Sequence, residues 1–194
     1  MNVFDLIAPV YEKIISGADK TFSILTKIGD FEECDKILDL GGGTGRVSRL
    51  FVKKVKEVVV LDASLGMVES CKKHQDISCV LGKAENIPFG DGYFDKVIII
   101  DAFHHFQDQE KAVREIRRVL RKNGKVIIEE LNFKEPVKWL VEKLERIVGA
   151  KSRLLPPELL AEFFEKDQFK TTLFGKTKTT YYLVGEKAEG CLPA

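Results

Sequence analysis

Glycine residues crowd one short stretch of the chain that follows an apolar run. Residues 36–40 (Lys-Ile-Leu-Asp-Leu) are typical of a buried strand, and residues 41–45 (Gly-Gly-Gly-Thr-Gly) come directly after it. Glycine allows a tight turn and lets a ligand approach the main chain without a side chain in the way. The stretch therefore predicts a strand, a ligand-cradling turn and a helix from about Thr44 to Lys54.

Two glycine patterns compete to explain this turn. The dinucleotide pattern G-x-G-x-x-G has Arg46 or Ser48, depending on the frame, where its third glycine belongs. The alternative pattern, acidic-x-Gly-x-Gly-x-Gly, is filled at every position. Its residues are Asp39, Gly41, Gly43 and Gly45.

A second carboxylate lies where a nucleoside would need one. Asp62 ends the apolar run of residues 57–62, about 20 residues beyond the glycine turn. A carboxylate at that position can accept hydrogen bonds from both ribose hydroxyls. This residue predicts a ribose site without choosing between NAD and another nucleoside cofactor.

Titratable side chains also follow the predicted strand of residues 96–101. Asp101 ends this strand, and His104 and His105 come shortly after it. Ligands of open α/β folds bind at the carboxyl ends of the strands, and histidine can act as a general base near neutral pH. Either histidine is therefore a candidate base. The same residues show no spacing typical of a metal site, and we predict none.

Composition limits the class of protein. The chain has 194 residues, 44% of them hydrophobic and 31% charged, with a net charge of +1, which fits one globular domain and gives no reason to expect nucleic acid as a partner. No run approaches the ~18 apolar residues of a membrane span, and the N-terminus does not resemble a signal peptide. The widely spaced cysteines predict reduced thiols and a cytoplasmic protein; they are Cys34, Cys71, Cys79 and Cys191.

The hydrophobic pattern alternates between strands and helices, which indicates a mostly parallel sheet covered by helices. The chain is expected to close with a hairpin, residues 169–174 and 177–184 around Gly175. Further strands are predicted at 36–40, 57–62, 77–81, 96–101 and 125–131, and helices at 3–16, 21–28, 44–54, 65–73, 109–121, 136–148 and 157–166. We expect a helical cap over 1–30, a core over 35–185 and a loose tail over 186–194, all in a single domain over 1–194.

Taken together, these blocks resemble the class I S-adenosylmethionine (SAM)-dependent methyltransferases. The stretch Gly82-Lys83-Ala84-Glu85-Asn86-Ile87-Pro88-Phe89, followed by Phe94-Asp95, is similar to a block of the small-molecule group called type 11, which includes ubiquinone and menaquinone C-methyltransferases. The N-terminal Phe4-Asp5-x-x-Ala8-x-x-Tyr11 also resembles this group. One departure is Lys83, which stands where the family has an aspartate beside the adenine.

The resemblance implies a fold, a cofactor and a set of binding residues. The fold is α/β, a Rossmann-like three-layer sandwich whose seven strands are ordered 3-2-1-4-5-7-6, with an antiparallel last strand. The cofactor is SAM. The residues expected to bind it are Asp39, Gly41, Gly43, Gly45, Asp62, Ala63, Met67, Ala84, Glu85, Asp101 and Tyr11.

The implied activity is transfer of a methyl group by in-line displacement to a small acceptor, apolar or aromatic, in a monomer or homodimer. Such a reaction depends mainly on alignment and on exclusion of water. Three alternatives stay open at this point. They are a SAM-binding protein without catalysis, an NAD-dependent oxidoreductase, which Arg46 and the terminal hairpin disfavour, and an RNA methyltransferase.

Overall fold

A single seven-stranded sheet forms the centre of the computed structural model, which describes residues 4, 5, 8, 17–132, 143, 152–177 and 179–188. The strand order is β3-β2-β1-β4-β5-β7-β6, as predicted. The strands are β1 Lys36–Leu40, β2 Glu57–Asp62, β3 Ser78–Leu81, β4 Phe94–Ile100, β5 Leu120–Leu131, β6 Phe169–Phe174 and β7 Thr180–Lys187.

The direction of each strand follows from the connections. Strands β1 to β5 pair in parallel, whereas β7 runs antiparallel to both β5 and β6. Hairpin closure requires this reversal, because β6 and β7 are joined by a short turn at Gly175, which has a φ of +56°. The carboxyl ends of β1, β2 and β4 therefore point the same way.

Within the described ranges 17–132, 152–177 and 179–188, four helices lie along the sheet: α1 Ala18–Ile28, α2 Leu65–Cys71, α3 Gln109–Val119 and α4 Pro157–Lys166. Apolar side chains of α3 and α4 pack with one face of the sheet, and Leu25 of α1 packs with the other. The side chain of Ser64 caps α2 by accepting a hydrogen bond from Met67 N at 3.2 Å. Asp108 caps α3 in the same way at Lys111 N.

The predicted helix over residues 44–54 is wrong. Only Ser48–Leu50 is helical there, as a 3₁₀ turn. Its hydrogen bonds mostly span three residues, such as Leu50 N to Val47 O and Lys54 N to Phe51 O, both within 3.0 Å. The glycine turn is followed by a series of tight turns. The β-branched Val47 and Val52 also have a lower helix propensity than unbranched side chains.

Other boundaries differ in smaller ways. Strand β5 begins at Leu120, directly after α3, and Asn123 takes a left-handed φ of +59° within it. Strand β7 extends to Lys187, so the expected tail begins later than residue 186. The helix predicted over 136–148 and most of the one over 3–16 lie outside the described residues.

The prediction of reduced thiols is wrong for two of the cysteines. Cys71, at the end of α2, and Cys79, in β3, form a disulfide with a Cα–Cα distance of 6.1 Å. The connection between α2 and β3 brings the two cysteines together, although they are only 8 positions apart in the sequence. Their spacing in the sequence had not suggested a disulfide. Cys34 is a free thiol, and Cys191 lies outside the described residues. None of the described helices has the length and apolar character needed to cross a bilayer.

Candidate cofactor site

A cavity of about 420 Å³ opens at the carboxyl ends of β1, β2 and β4. This is the position where open α/β sheets bind ligands. The residues that line it are Phe4, Leu40, Gly41, Gly43, Leu61, Asp62, Ala63, Ser64, Met67, Gly82, Lys83, Ala84, Glu85, Ile100, Asp101, Ala102, His105, Phe106 and Gln107.

The glycine turn forms the floor of this cavity. Gly41 and Gly43 have φ values of +75° and +57°, a backbone region that residues with side chains rarely adopt. A Cβ at Gly41 would lie 2.7 Å from Ala102 Cβ, whereas one at Gly43 would meet only Met67 Sδ, at 3.7 Å. Gly41 is therefore required by packing, while Gly43 leaves open space on the side of the cavity.

Asp62 is held firmly at the end of β2. Its Oδ2 accepts a hydrogen bond from Gly43 N at 2.9 Å, and its Oδ1 accepts one from Ser64 N at 2.8 Å. Burial raises the pKa of this carboxyl, and the two backbone donors partly offset that effect. Because each carboxylate oxygen has a second lone pair, Asp62 can still accept hydroxyl donors from a ligand.

Two of the predicted binding residues lie behind the cavity wall. The Asp39 side chain is buried, and its Oδ2 accepts a hydrogen bond from Ser48 Oγ at 2.5 Å. Burial raises the pKa of Asp39 to about 7. A Cβ at Gly42 would lie 2.4 Å from the Asp39 carboxyl carbon, so this acid packs directly beneath the turn.

Gly45 also packs inward. A Cβ there would approach Ile77 Cδ1 to 2.5 Å and Cys71 Sγ to 3.3 Å. Gly45, like Asp39, is not among the residues that line the cavity. Both residues shape the turn from behind.

The start of α2 forms one side of the cavity. Asp5 Oδ1 accepts hydrogen bonds from Ser64 Oγ at 2.6 Å and from Gly66 N at 3.2 Å. These bonds attach the N-terminal Phe4-Asp5 pair to α2, and Phe4 joins Ala63 and Met67 in the lining. The N-terminal motif thus meets the cavity, while Tyr11 lies outside the described residues.

The opposite side comes from the loop between β3 and β4. Lys83, Ala84 and Glu85 line the cavity, and Glu85 Oε1 accepts hydrogen bonds from Gln107 N at 2.7 Å and Asp108 N at 3.1 Å. Glu85 thus ties this loop to the entry of α3.

Arg118 fixes the same loop from α3. Its guanidinium donates to Ile87 O at 2.9 Å and to Phe89 O at 2.8 Å. It also pairs with Glu115, which in turn accepts a hydrogen bond from Ile87 N at 2.8 Å. The basic residues of α3 therefore include one that holds a wall of the site.

Asp101 lies at the end of β4 in a left-handed conformation, with a φ of +49°. Burial, together with the carboxyl groups of Glu129 and Glu130, raises the pKa of Asp101 to about 7. Its Oδ1 is buried and has no hydrogen-bond partner among the described residues. A strained residue with an unsatisfied carboxyl oxygen at the cavity wall is typical of a functional site.

The two adjacent histidines have different surroundings. His104 is buried, its Nδ1 lies 2.8 Å from Glu130 Oε2, and it does not line the cavity. His105 does line the cavity, and its Nδ1 lies 3.0 Å from Ser152 Oγ. Of the two predicted bases, only His105 is therefore placed next to a ligand in this cavity.

Several lining residues were not predicted. Apart from Phe4, Ser64, Lys83 and Gln107, they are small or apolar residues at strand ends and in the turn after β4, namely Leu40, Leu61, Gly82, Ile100, Ala102 and Phe106. Their types carry no chemical signal, and only their position at the carboxyl ends of predicted strands could have identified them. Among the described residues, one group of side chains of metal-binding types lies close together: Glu32, Cys34 and Asp35. This group precedes β1, at the end of the sheet opposite the cavity.

Comparison with known proteins agrees with this geometry. Residues 38–128 match the family model described as "Methyltransferase domain". A demethylmenaquinone methyltransferase of Thermotoga maritima is 35% identical over 143 residues, which are 68% of this chain and 61% of that protein. An uncharacterized methyltransferase of Bacillus subtilis, YcgJ, is 30% identical over 158 residues, 78% of this chain and 60% of its own length.

The solved structures extend the likeness to the fold. The crystal structure of YcgJ superposes with a TM-score of 0.78 and 21% identity, covering 89% of this chain and all of that chain. The chain spans about three fifths of the length of the curated relatives it matches. The family match, the relatives and the strand order confirm the predicted resemblance: residues 38–128 match a methyltransferase domain, and the sheet has the strand order expected of the class I, SAM-dependent type.

Proposed function

We propose that this chain transfers the methyl group of SAM to a small apolar or aromatic acceptor in the cavity at the carboxyl end of the sheet. The observation that supports this most directly is the Asp62 carboxylate, which two backbone N–H groups hold at 2.9 and 2.8 Å beside the glycine turn. A rigid carboxylate next to open backbone suits a ribose. The name of the Thermotoga maritima relative supports the reaction class.

The cavity fits a nucleoside cofactor in several respects. Its volume of about 420 Å³ is within the range of small-molecule sites. Gly43 offers main chain without a side chain, and Met67 and Ala63 provide an apolar surface for a base. Lys83 has no acceptor atom, so the adenine amino group has to be bound through Glu85 or the main chain of Ala84.

When bound, SAM supplies a sulfonium-activated methyl group, which passes to a nucleophilic atom of the acceptor as S-adenosylhomocysteine is released. The role of this chain is to orient the two reactants and to exclude water. Phe4, Phe106 and Ile100 supply apolar walls for that purpose. His105 is our candidate for the residue that accepts a proton from the acceptor, because its ring lines the cavity.

The test is methyl transfer from isotope-labelled SAM to a panel of acceptors: naphthoquinones, including demethylmenaquinone, phenols and aliphatic amines. We expect label in a quinone or phenol and a decrease of at least about tenfold in the His105→Ala variant. Arg121→Ala, at the far end of the sheet, serves as the control and should retain full activity. Binding of SAM without transfer to any acceptor class would contradict the catalytic proposal.

A further inference from the structure

A disulfide lies directly behind the cofactor cavity. It joins Cys71, the last residue of α2, to Cys79, the second residue of β3. Neither cysteine lines the cavity, and the proposed methyl transfer uses neither sulfur. The position of the disulfide nevertheless connects it to three parts of the cavity.

The disulfide joins two elements that lead into opposite walls of the cavity. Helix α2 begins beside the cavity, where its N-cap Ser64 and its residue Met67 are part of the lining. Strand β3 ends at Leu81, and the next residues, 82–85, form the facing wall. A shift of α2 relative to β3 therefore changes the distance between the two walls.

The third part is the glycine turn, which packs against the same disulfide. A Cβ at Gly45 would lie 3.3 Å from Cys71 Sγ and 3.5 Å from Val60 Cγ2. Cys71 is fully buried in the apolar cluster that also contains Val60 and Ile77. Because such a cluster is closely packed, a displacement of the Cys71 sulfur is transmitted by direct contact to the floor of the cavity.

The two elements joined by the disulfide are short and peripheral. Helix α2 has seven residues, fewer than the ~12 at which an isolated helix begins to be stable in water. Strand β3 has four residues at the edge of the sheet, where β2 is its neighbour among the described strands. By contrast, β4 and β5 have strands on both sides. Breaking the disulfide is therefore expected to loosen α2 and β3 and to leave the centre of the sheet folded.

A reductant can reach the disulfide from the side of Cys79. This residue is partly exposed on the edge strand, whereas Cys71 is buried. A thiolate of a dithiol attacks Cys79 Sγ, the S–S bond breaks, and Cys71 leaves as a thiolate that takes up a proton. The second thiol of the reductant then attacks its own bound sulfur and releases Cys79. The protein gains two electrons and two protons, and the dithiol is oxidised to a disulfide.

We propose that the Cys71–Cys79 disulfide is a redox switch for cofactor binding. The oxidised protein holds both walls and the glycine turn in the binding geometry, and reduction by a dithiol lowers the affinity for SAM and S-adenosylhomocysteine. The switch rests on the proposed function, since it requires the cofactor to occupy this cavity. Because coupling is reciprocal, bound cofactor has to protect the disulfide from reduction by the same factor.

Titration calorimetry of the full chain with S-adenosylhomocysteine, before and after reduction with dithiothreitol, measures the switch. We expect reduction to weaken binding by about tenfold, a usual size for such coupling. Circular dichroism should show that the reduced protein is still folded. The Cys79→Ser variant cannot form the disulfide and should bind like the reduced wild type, whether or not dithiothreitol is present.

The matched control is Cys34→Ser. Cys34 is a free thiol that precedes β1 at the opposite end of the sheet, so this variant should keep the full response to dithiothreitol. A second measurement needs no variant. In mixtures of reduced and oxidised dithiothreitol, alkylation and mass spectrometry give the ratio of disulfide to dithiol protein, and saturating S-adenosylhomocysteine should shift this ratio toward the disulfide by about the same tenfold.

The outcomes separate the switch from the proposed function. If the oxidised protein does not bind S-adenosylhomocysteine, the proposed function itself is wrong. If both redox states bind it equally tightly, or if the ligand leaves the ratio of disulfide to dithiol unchanged, the switch is wrong while the cofactor assignment stands. Unfolding of the whole chain on reduction would also contradict the switch, because the disulfide would then serve stability alone.

Discussion

The two ends of the sheet carry cavities of nearly equal size but different chemistry. At the carboxyl end, the cofactor cavity has a volume of about 420 Å³, and its wall includes the buried Asp101 Oδ1, which has no hydrogen-bond partner among the described residues. At the amino end, a groove of about 440 Å³ lies between α3 and the starts of β4 and β5. We call it the basic groove; it is lined by Asp91, Gly92, Arg114, Arg117, Arg118, Leu120, Arg121, Lys122 and Lys187.

The charges of the basic groove are mostly occupied. Arg121 pairs with Asp95 at 2.6 Å, Arg118 pairs with Asp91 at 2.9 Å, and Arg117 donates to Gln168 at 2.5 Å. The basic groove therefore resembles a solvent-exposed surface whose arginines are already paired with neighbouring acidic and amide side chains. Cavity volume therefore does not separate the two ends; what distinguishes the cofactor cavity is a buried carboxyl oxygen in its wall that has no partner among the described residues.

The largest effect is expected from Asp62→Ala. This change removes the acceptor for Gly43 N and Ser64 N as well as the ribose contact that we propose, so binding of S-adenosylhomocysteine should weaken by at least about 100-fold. Asp91→Ala removes an acid of similar size from the basic groove and should change the affinity by less than about twofold. Equal losses of affinity in the two variants, measured by calorimetry, would contradict the claim that only the carboxyl end of the sheet binds the cofactor.

The second-largest effect is expected from a substitution in the glycine turn. Gly41→Ala should destabilise the fold by about 2–4 kcal/mol, because φ is +75° and the new Cβ would lie 2.7 Å from Ala102 Cβ. Gly17→Ala is the matched control: φ is +97°, but a Cβ there has nothing within 4 Å, so only the backbone penalty of about 1–2 kcal/mol applies. Urea unfolding of both variants measures the difference, and equal losses would refute the packing argument.

A smaller effect concerns pH. Asp101 has its pKa raised from 3.8 to about 7, so the folded protein keeps a proton that the unfolded chain releases. This proton stabilises the fold below about pH 4, and the stabilisation disappears as the pH rises to about 7. Asp101→Asn should therefore match the wild type at pH 4 and exceed its unfolding free energy at pH 8 by on the order of 1 kcal/mol. A constant difference between pH 4 and 8 in denaturant titrations would contradict the assignment.

The smallest effect is expected in the basic groove. Arg117→Ala removes the bond to Gln168 and should lower stability by about 0.5 kcal/mol, with S-adenosylhomocysteine binding unchanged within about twofold. Thermal unfolding and calorimetry check both numbers. A clear change in cofactor affinity would show that the two ends are coupled.

The sequence patterns predicted the bounds of the strands more accurately than the structure of the segment that follows the glycine turn. Strands β1 and β2 were found at their observed bounds because strands buried on both faces read as continuous apolar runs. The helix over residues 44–54 failed because its apolar spacing also suits a compact coil beneath a glycine turn. The strand order came from resemblance, since periodicity alone does not order strands.

For the site, the sequence identified residue types but not which way their side chains point. Asp39 fills the acidic position of the glycine pattern, yet it faces Ser48 behind the turn. His104 and His105 look equivalent in sequence, but only His105 lines the cavity, because His104 pairs with Glu130, 26 residues away. The Cys71–Cys79 disulfide was missed because the turn between α2 and β3 determines the distance between the two cysteines, and the sequence does not specify the geometry of that turn.

The most direct test of the central claim is a calorimetric titration of the purified chain with SAM, S-adenosylhomocysteine and NAD⁺. The cavity around Asp62 and the glycine turn predicts saturable, one-to-one binding of SAM and S-adenosylhomocysteine in the micromolar range or tighter, and no binding of NAD⁺. A folded protein that binds neither SAM nor S-adenosylhomocysteine, or that prefers NAD⁺, would contradict the assignment of this cavity.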